Sequence, residues 1–153
     1  WLLDVLPDQI LYILKLPWWL LSLLGQLVGV VIILVGLWQT GLLSFFGIVQ
    51  VVSGGEVQVG GVFVQHSLYR WVRHPLYTGA LLFIWCTPVM TVNLLVLFLL
   101  LSLYLVIGAR FEEKRLVAEF GEVYRRYQKE VPILLPKLNQ LSLFISGSKV
   151  NFD

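Results

Sequence analysis

Tyr69-Arg70-Trp71-Val72-Arg73-His74-Pro75-Leu76-Tyr77-Thr78-Gly79 opens an apolar stretch that Arg110-Phe111-Glu112-Glu113 closes, with Phe120-Gly121 and Tyr124 soon after. The intervening residues are apolar except for a break at Pro88 and Asn93, so they read as two helical arms, 75–90 and 92–109, folded into a hairpin. A hairpin returns its two ends to one side. Most of the ionisable chemistry of the chain is therefore expected at one membrane face.

Composition sets the class. Of 153 residues, 58% are hydrophobic and 13% charged, whereas soluble domains carry roughly 25% charged residues. This is the profile of an integral membrane protein. A net charge of +2 is too small to argue for nucleic acid as a partner, and the basic residues suit membrane-side anchors. The single Cys86 lies in an apolar run, which excludes a disulfide framework and a cysteine metal site, and no metal centre is expected. Nothing at Trp1 reads as a start or a signal peptide, so the true N-terminus is expected upstream.

A spanning helix needs about 20 apolar residues to cross a hydrocarbon core of about 30 Å. Residues 18–38 meet this without a charge, carry Trp18, Trp19 and Trp38 at their ends, and space Gly25 and Gly29 for close helix approach. Upstream, Asp4 to Lys15 is apolar but interrupted by Pro7 and Asp8 and followed by Pro17, so it reads as an interfacial or partial helix. Between the first span and His74, Gly54-Gly55 and Gly60-Gly61 flank Glu56-Val57-Gln58-Val59, a turn or small hairpin outside the bilayer core. Pro75 suits a first helical turn, where its missing N–H is no loss. Each arm is slightly short and must tilt little.

Charges test the topology. Arg70 and Arg73 precede the hairpin, Arg110, Lys114, Arg115, Arg125, Arg126 and Lys129 follow it, and the turn has no Lys or Arg. Both polar clusters are then expected in the cytoplasm or its equivalent. From 110 to 131, Glu113, Leu116, Phe120, Val123, Tyr127 and Val131 recur at helical spacing, predicting an amphipathic helix that Pro132 and Pro136 end; 137–153 is a tail. The expectation is one all-α membrane domain over 1–153, multi-pass, with about three transmembrane helices.

A carboxylate at the inner end of a membrane arm is costly unless it meets a cation, so at least one of Glu112 and Glu113 is expected to face Arg70, Arg73 or Arg110. On charges alone, the favoured reading is a salt-bridge cluster that fixes helix ends and orientation. His74, between Arg73 and Pro75, reads on its own as an anchor.

Taken in order, Leu68 to Gly79, the hairpin, Glu112-Glu113, Leu116, Phe120-Gly121-Glu122, Tyr124, Tyr127, Val131-Pro132 and Pro136 resemble the isoprenylcysteine carboxyl methyltransferase family. Phospholipid N-methyltransferases and NnrU-type membrane proteins are more distant relatives. The likeness spans roughly residues 25–138 and is strongest over 66–82 and 110–132. It implies S-adenosylmethionine as cofactor, held between those two segments by His66, Ser67, Leu68, Tyr69, His74, Tyr77, Gly79, Ala80, Leu81, Leu82 and Glu112. Gly79 and Ala80 are expected to admit a ligand close to the backbone, Tyr69 and Tyr77 to offer aromatic faces, and Glu112 to accept hydrogen bonds from an ammonium group.

The reaction implied is methyl transfer to a lipid-borne or small hydrophobic acceptor, a carboxylate, thiol or amine, with the bilayer and a prenylated or hydrophobic acceptor as partners. Arg110 is the candidate for positioning a carboxylate acceptor. The family's substrate-binding Arg aligns one turn before the Glu pair, where this chain has Gly108, which puts carboxyl-methylating specificity in doubt. Two other readings stay open: a non-catalytic subunit of a larger membrane complex that keeps the fold, and a haem protein of the NnrU type using His66 and His74.

Overall fold

The computed structural model describes residues 8–40 and 67–136. Helix α1 (Trp18–Thr40) is 23 residues without a charge, about 34 Å at 1.5 Å per residue. Helix α2 (Pro75–Trp85) starts at Pro75 as expected but has only 11 residues. Helix α3 (Val92–Phe120) has 29, and α4 (Glu122–Glu130) has nine. A 3₁₀ turn over Ser67–Arg70 precedes α2.

Two of these helices, over Trp18–Gln39 and Val92–Phe120, are long and apolar enough to cross a membrane. At about 16 Å, α2 is too short to do so alone.

Glycine sets the contact between α1 and α2. A Cβ on Gly29 would lie 2.8 Å from the Gly79 carbonyl oxygen, and one on Gly79 would lie 2.8 Å from the Gly29 carbonyl oxygen and from Ile33. Gly25 faces Cys86 and Gly36 faces Leu76 in the same way, so the helices run antiparallel with backbones nearly touching. Sequence spacing had indicated Gly25 and Gly29. Their partner Gly79, expected to admit a ligand, admits α1 instead.

Three expectations are corrected. The first arm stops at Trp85 rather than 90, because Pro88 pushes the preceding residue out of the helical region and the chain leaves as strand β2 (Val89–Thr91). Residues 10–13 are not part of a helix: Ile10–Ile13 forms strand β1, pairing antiparallel with β2 so that Ile10 faces Thr91 and Ile13 faces Val89. Ile, Leu and Tyr suit a strand once a partner edge is present. Finally, the amphipathic helix expected over 110–131 is two pieces. Helix α3 continues to Phe120 and breaks at Gly121, whose φ of +58° combined with ψ of −130° strongly favours glycine, before α4 begins.

That break changes which residues face inward. Val123 is exposed, while Tyr124, Tyr127 and Val131 are buried against Leu116, Val117 and Phe120. Thr91 caps α3 by accepting from the Leu94 N–H at 3.2 Å, and Asp8 accepts from the Asn93 N–H at 3.1 Å. The Glu56–Val59 piece and the 137–153 tail lie outside the described residues.

Candidate functional site

The site forms where α2 begins and α3 nears its end. Pro75 opens α2 and leaves His74 at its N-cap position, buried at 6% exposure. The Arg73 and His74 N–H groups donate to the Pro132 and Ile133 carbonyls at 2.9 and 3.1 Å, and the Thr78 hydroxyl donates to the Leu134 carbonyl at 2.7 Å. The segment after α4 therefore straps the motif in place. The Tyr127 hydroxyl donates to the Tyr69 carbonyl from the α4 side.

The two adjacent glutamates do different work. Glu113 is buried and accepts four hydrogen bonds: Oε1 from His74 Nε2 at 2.9 Å and the Tyr124 hydroxyl at 2.7 Å, Oε2 from Arg73 and Gln128. A carboxylate has about four lone-pair positions, so Glu113 has no capacity left for a ligand. It is a structural hub, and of the three candidate cations Arg70, Arg73 and Arg110, the one that pairs with it among the described contacts is Arg73.

Glu112 is different. Its side chain is 48% exposed, and both described contacts fall on one oxygen: Oε2 accepts from the Tyr77 hydroxyl at 3.1 Å and lies 3.4 Å from His74 Nδ1. Oε1 is open among the described residues.

His74 bridges the pair, its two ring nitrogens each facing a carboxylate, which requires both to donate. Burial lowers its pKa, but its hydrogen bonds to Glu112 and Glu113 prevail and hold it above the ordinary value, so the imidazolium is favoured. Two cations, Arg73 and His74, then balance two carboxylates. The Tyr77 ring stacks on His74, with centroids 5.3 Å apart and planes 8° from parallel. Burial, followed by the charge of Glu112, pushes the Tyr69 phenol up to about 12, so it stays neutral. Burial and then the hydrogen bond to Glu113 raise that of Tyr124 further.

Of the residues expected at the site, Tyr69, His74, Tyr77 and Glu112 converge here. Ser67 holds a left-handed backbone (φ 57°), and its hydroxyl accepts from Gln39 Nε2 at 2.7 Å, tying the 3₁₀ turn to the end of α1. Leu68, Ala80, Leu81 and Leu82 are half-buried. The open face of Gly79 is filled by α1. Arg110 is exposed and joins none of the described contacts of the cluster; two residues before Glu112, it sits about 200° around the helix. His66 lies outside the described residues. Both nitrogens of His74 are engaged, which leaves it no lone pair for a haem iron.

Sequence reasoning missed Gln128, Gln39 and Thr78. Gln128 carried a signal, standing four residues after Tyr124 on one helix face.

Comparison with known proteins gives the family. A methanethiol S-methyltransferase of Pseudomonas deceptionensis is 51% identical over 82 residues, 54% of this chain and 31% of the relative. One from Crocosphaera subtropica is 36% identical over 130 residues, 79% of this chain and 51% of the relative. A third, from Mycobacterium tuberculosis, is 43% identical over 74 residues, 48% of this chain and 30% of the relative. The chain thus spans about a third to a half of the length of these relatives. No solved structure matches it. The sequence model for phospholipid methyltransferase matches residues 20–123, well over half the chain, and takes in α1, the His74 motif and the Glu112-Glu113 pair. The chain belongs to the phospholipid methyltransferase family, whose members include the isoprenylcysteine carboxyl methyltransferase-like membrane enzymes.

Proposed function

We propose that this chain builds the S-adenosylmethionine site of a multi-pass membrane methyltransferase and presents it, on the cytoplasmic side or its equivalent, to a small hydrophobic thiol. The observation that carries the reading is the division of labour between the glutamates: Glu113 saturated and buried, Glu112 half-exposed with one oxygen open.

The residues present fit the cofactor. An open carboxylate oxygen on Glu112 can accept from its ammonium group, and the neutral rings of Tyr69 and Tyr77 beside that carboxylate suit a sulfonium cation. When bound, S-adenosylmethionine supplies an electrophilic methyl whose bonding electrons stay on the donor sulfur, while the acceptor thiol gives its proton to water. The chain's own residues hold and orient. His74 and Tyr77 fix one oxygen of Glu112 so that the other keeps a constant direction, and Glu113 fixes His74. Apolar surface on α3 leads to this point from the bilayer, a route open to a thiol dissolved in lipid.

The thiol assignment draws on the relatives, which are named as methanethiol S-methyltransferases. Their whole length exceeds this chain, so acceptor and activity are proposals for it. Partners are the bilayer and the acceptor. Two measurements decide the reading: calorimetric titration of S-adenosylhomocysteine into the purified protein, and conversion of methanethiol to dimethyl sulfide with S-adenosylmethionine. Saturable binding and product formation, both lost in Glu112→Ala, are expected. Absence of heat at millimolar ligand overturns the cofactor site.

A further inference from the structure

Six glycines lie in or between the described helices, and five have a structural use. Gly25, Gly29, Gly36 and Gly79 each sit where a Cβ would strike the facing helix, at 2.5 to 3.2 Å, and Gly121 holds a positive φ. Gly108 has neither. A Cβ built there would meet one atom, the Tyr77 hydroxyl, at 4.0 Å. Glycine is the poorest helix former after proline, and membrane helices tolerate it chiefly where backbones pack closely. Open space beside Gly108 is therefore a feature without a packing reason.

Its surroundings suggest an occupant. Gly108 stands four residues before Glu112, on the same face of α3 and on its apolar side. The Tyr77 hydroxyl that donates to Glu112 at 3.1 Å forms the floor of the space. Arg73 and His74 are engaged with the glutamates, and Arg110 is about 200° from Gly108 around the helix. An acceptor carboxylate beside Gly108 would lie one helical turn from the Glu112 carboxylate and be repelled by it. A small uncharged group meets no such penalty.

We propose that Gly108 is a specificity-determining residue: its missing side chain keeps open the place of the methyl acceptor, limiting it to a small, uncharged thiol. This rests on the methyltransferase reading above and adds the residue that sets acceptor size.

The test compares wild type, Gly108→Ala and Gly108→Leu in the purified full chain. Three quantities are measured: KM for methanethiol, affinity for S-adenosylhomocysteine by calorimetry, and melting temperature in detergent. Gly108→Ala is expected to melt no lower than wild type, since a methyl has room and alanine favours the helix, yet to raise the methanethiol KM about threefold. Gly108→Leu is expected to raise it at least tenfold, with S-adenosylhomocysteine affinity within twofold of wild type. A lowered melting temperature for Gly108→Ala overturns the proposal, because the space would then serve packing. So does a methanethiol KM within twofold of wild type in Gly108→Leu. A wild-type protein that binds S-adenosylhomocysteine but methylates no thiol overturns the acceptor reading itself, a result distinct from either of these.

Discussion

Against α1, helix α2 packs backbone to backbone, with Gly29 and Gly79 facing each other and no charged group within the contact. Against α3 the same helix is joined by polar side chains near its ends. His74 and Tyr77 reach the two glutamates at one end, and Trp85 donates to Ser102 at 2.9 Å at the other. The first contact has no tolerance for added volume and is indifferent to charge. The second is sensitive to charge and leaves open space at Gly108. One helix thus carries a rigid seam on one side and a chemical seam on the other, and the rigidity of the first holds the second in register.

The largest expected effect breaks the chemical seam at its hub. Glu113→Ala leaves Arg73 buried without a counter-charge and strips Tyr124 and Gln128 of their acceptor. Removing one partner of a buried pair costs about 3–5 kcal/mol. The variant should show a strongly lowered melting temperature in detergent and bind no S-adenosylhomocysteine. A melting temperature close to wild type would mean that Glu113 is not the hub. Next comes the rigid seam. Gly79→Leu forces a side chain into the Gly29 carbonyl and Ile33, where overpacking costs about 3 kcal/mol. The same substitution at Gly108, with open space, should cost far less. Equal loss at both positions would erase the difference between the seams.

The rigid seam and the hairpin were largely legible in the sequence. Apolar length, terminal tryptophans and Pro75 locate α1 and the start of α2, and Val92 begins α3 where expected, because lipid solvent imposes length and composition on a span. The division between Glu112 and Glu113 was not legible. Neighbours on a helix differ by about 100° in direction, and which one turns inward depends on where α4 folds back. That is set by the bend at Gly121, which a continuous helical repeat through Val123 hides. Strand β1 was missed for a similar reason: its partner edge, β2, lies some 80 residues away. Gly79 was ambiguous from the start, since a residue that lets a ligand near a backbone also lets a helix near.

A smaller effect sharpens the comparison through pH. His74 has a folded pKa above its ordinary value of 6.5. The sign follows: the folded state holds the proton more tightly, so this stabilisation is fully present below about 6.5 and fades as pH rises through the raised value. Melting temperature should fall with pH across that window in wild type and vary less in His74→Asn. The α1–α2 seam holds no histidine or charged side chain in its described contacts, so Gly29→Ala should shift the whole curve without changing its slope across that window. A parallel wild-type and His74→Asn dependence would show that the imidazolium contributes nothing to the cluster.

Glu112→Gln should have the smallest effect on stability and the most selective effect on binding. The side chain is half-exposed and its described contacts are one hydrogen bond and one longer approach to His74; exposed interactions of this kind are worth about 0–1 kcal/mol. Glutamine keeps the shape and can still accept from Tyr77, so the fold is retained. What it loses is the negative charge on the open oxygen. A charge-assisted hydrogen bond to an ammonium group is worth about 1.5–3 kcal/mol, so S-adenosylhomocysteine affinity should fall by roughly ten- to a hundredfold while melting temperature moves by a degree or two. Two adjacent glutamates would then give opposite signatures: Glu113 controls whether the protein folds, Glu112 whether it binds. If Glu112→Gln instead lowered melting temperature as far as Glu113→Ala, both carboxylates would belong to the structural cluster and the open oxygen would have no ligand to serve.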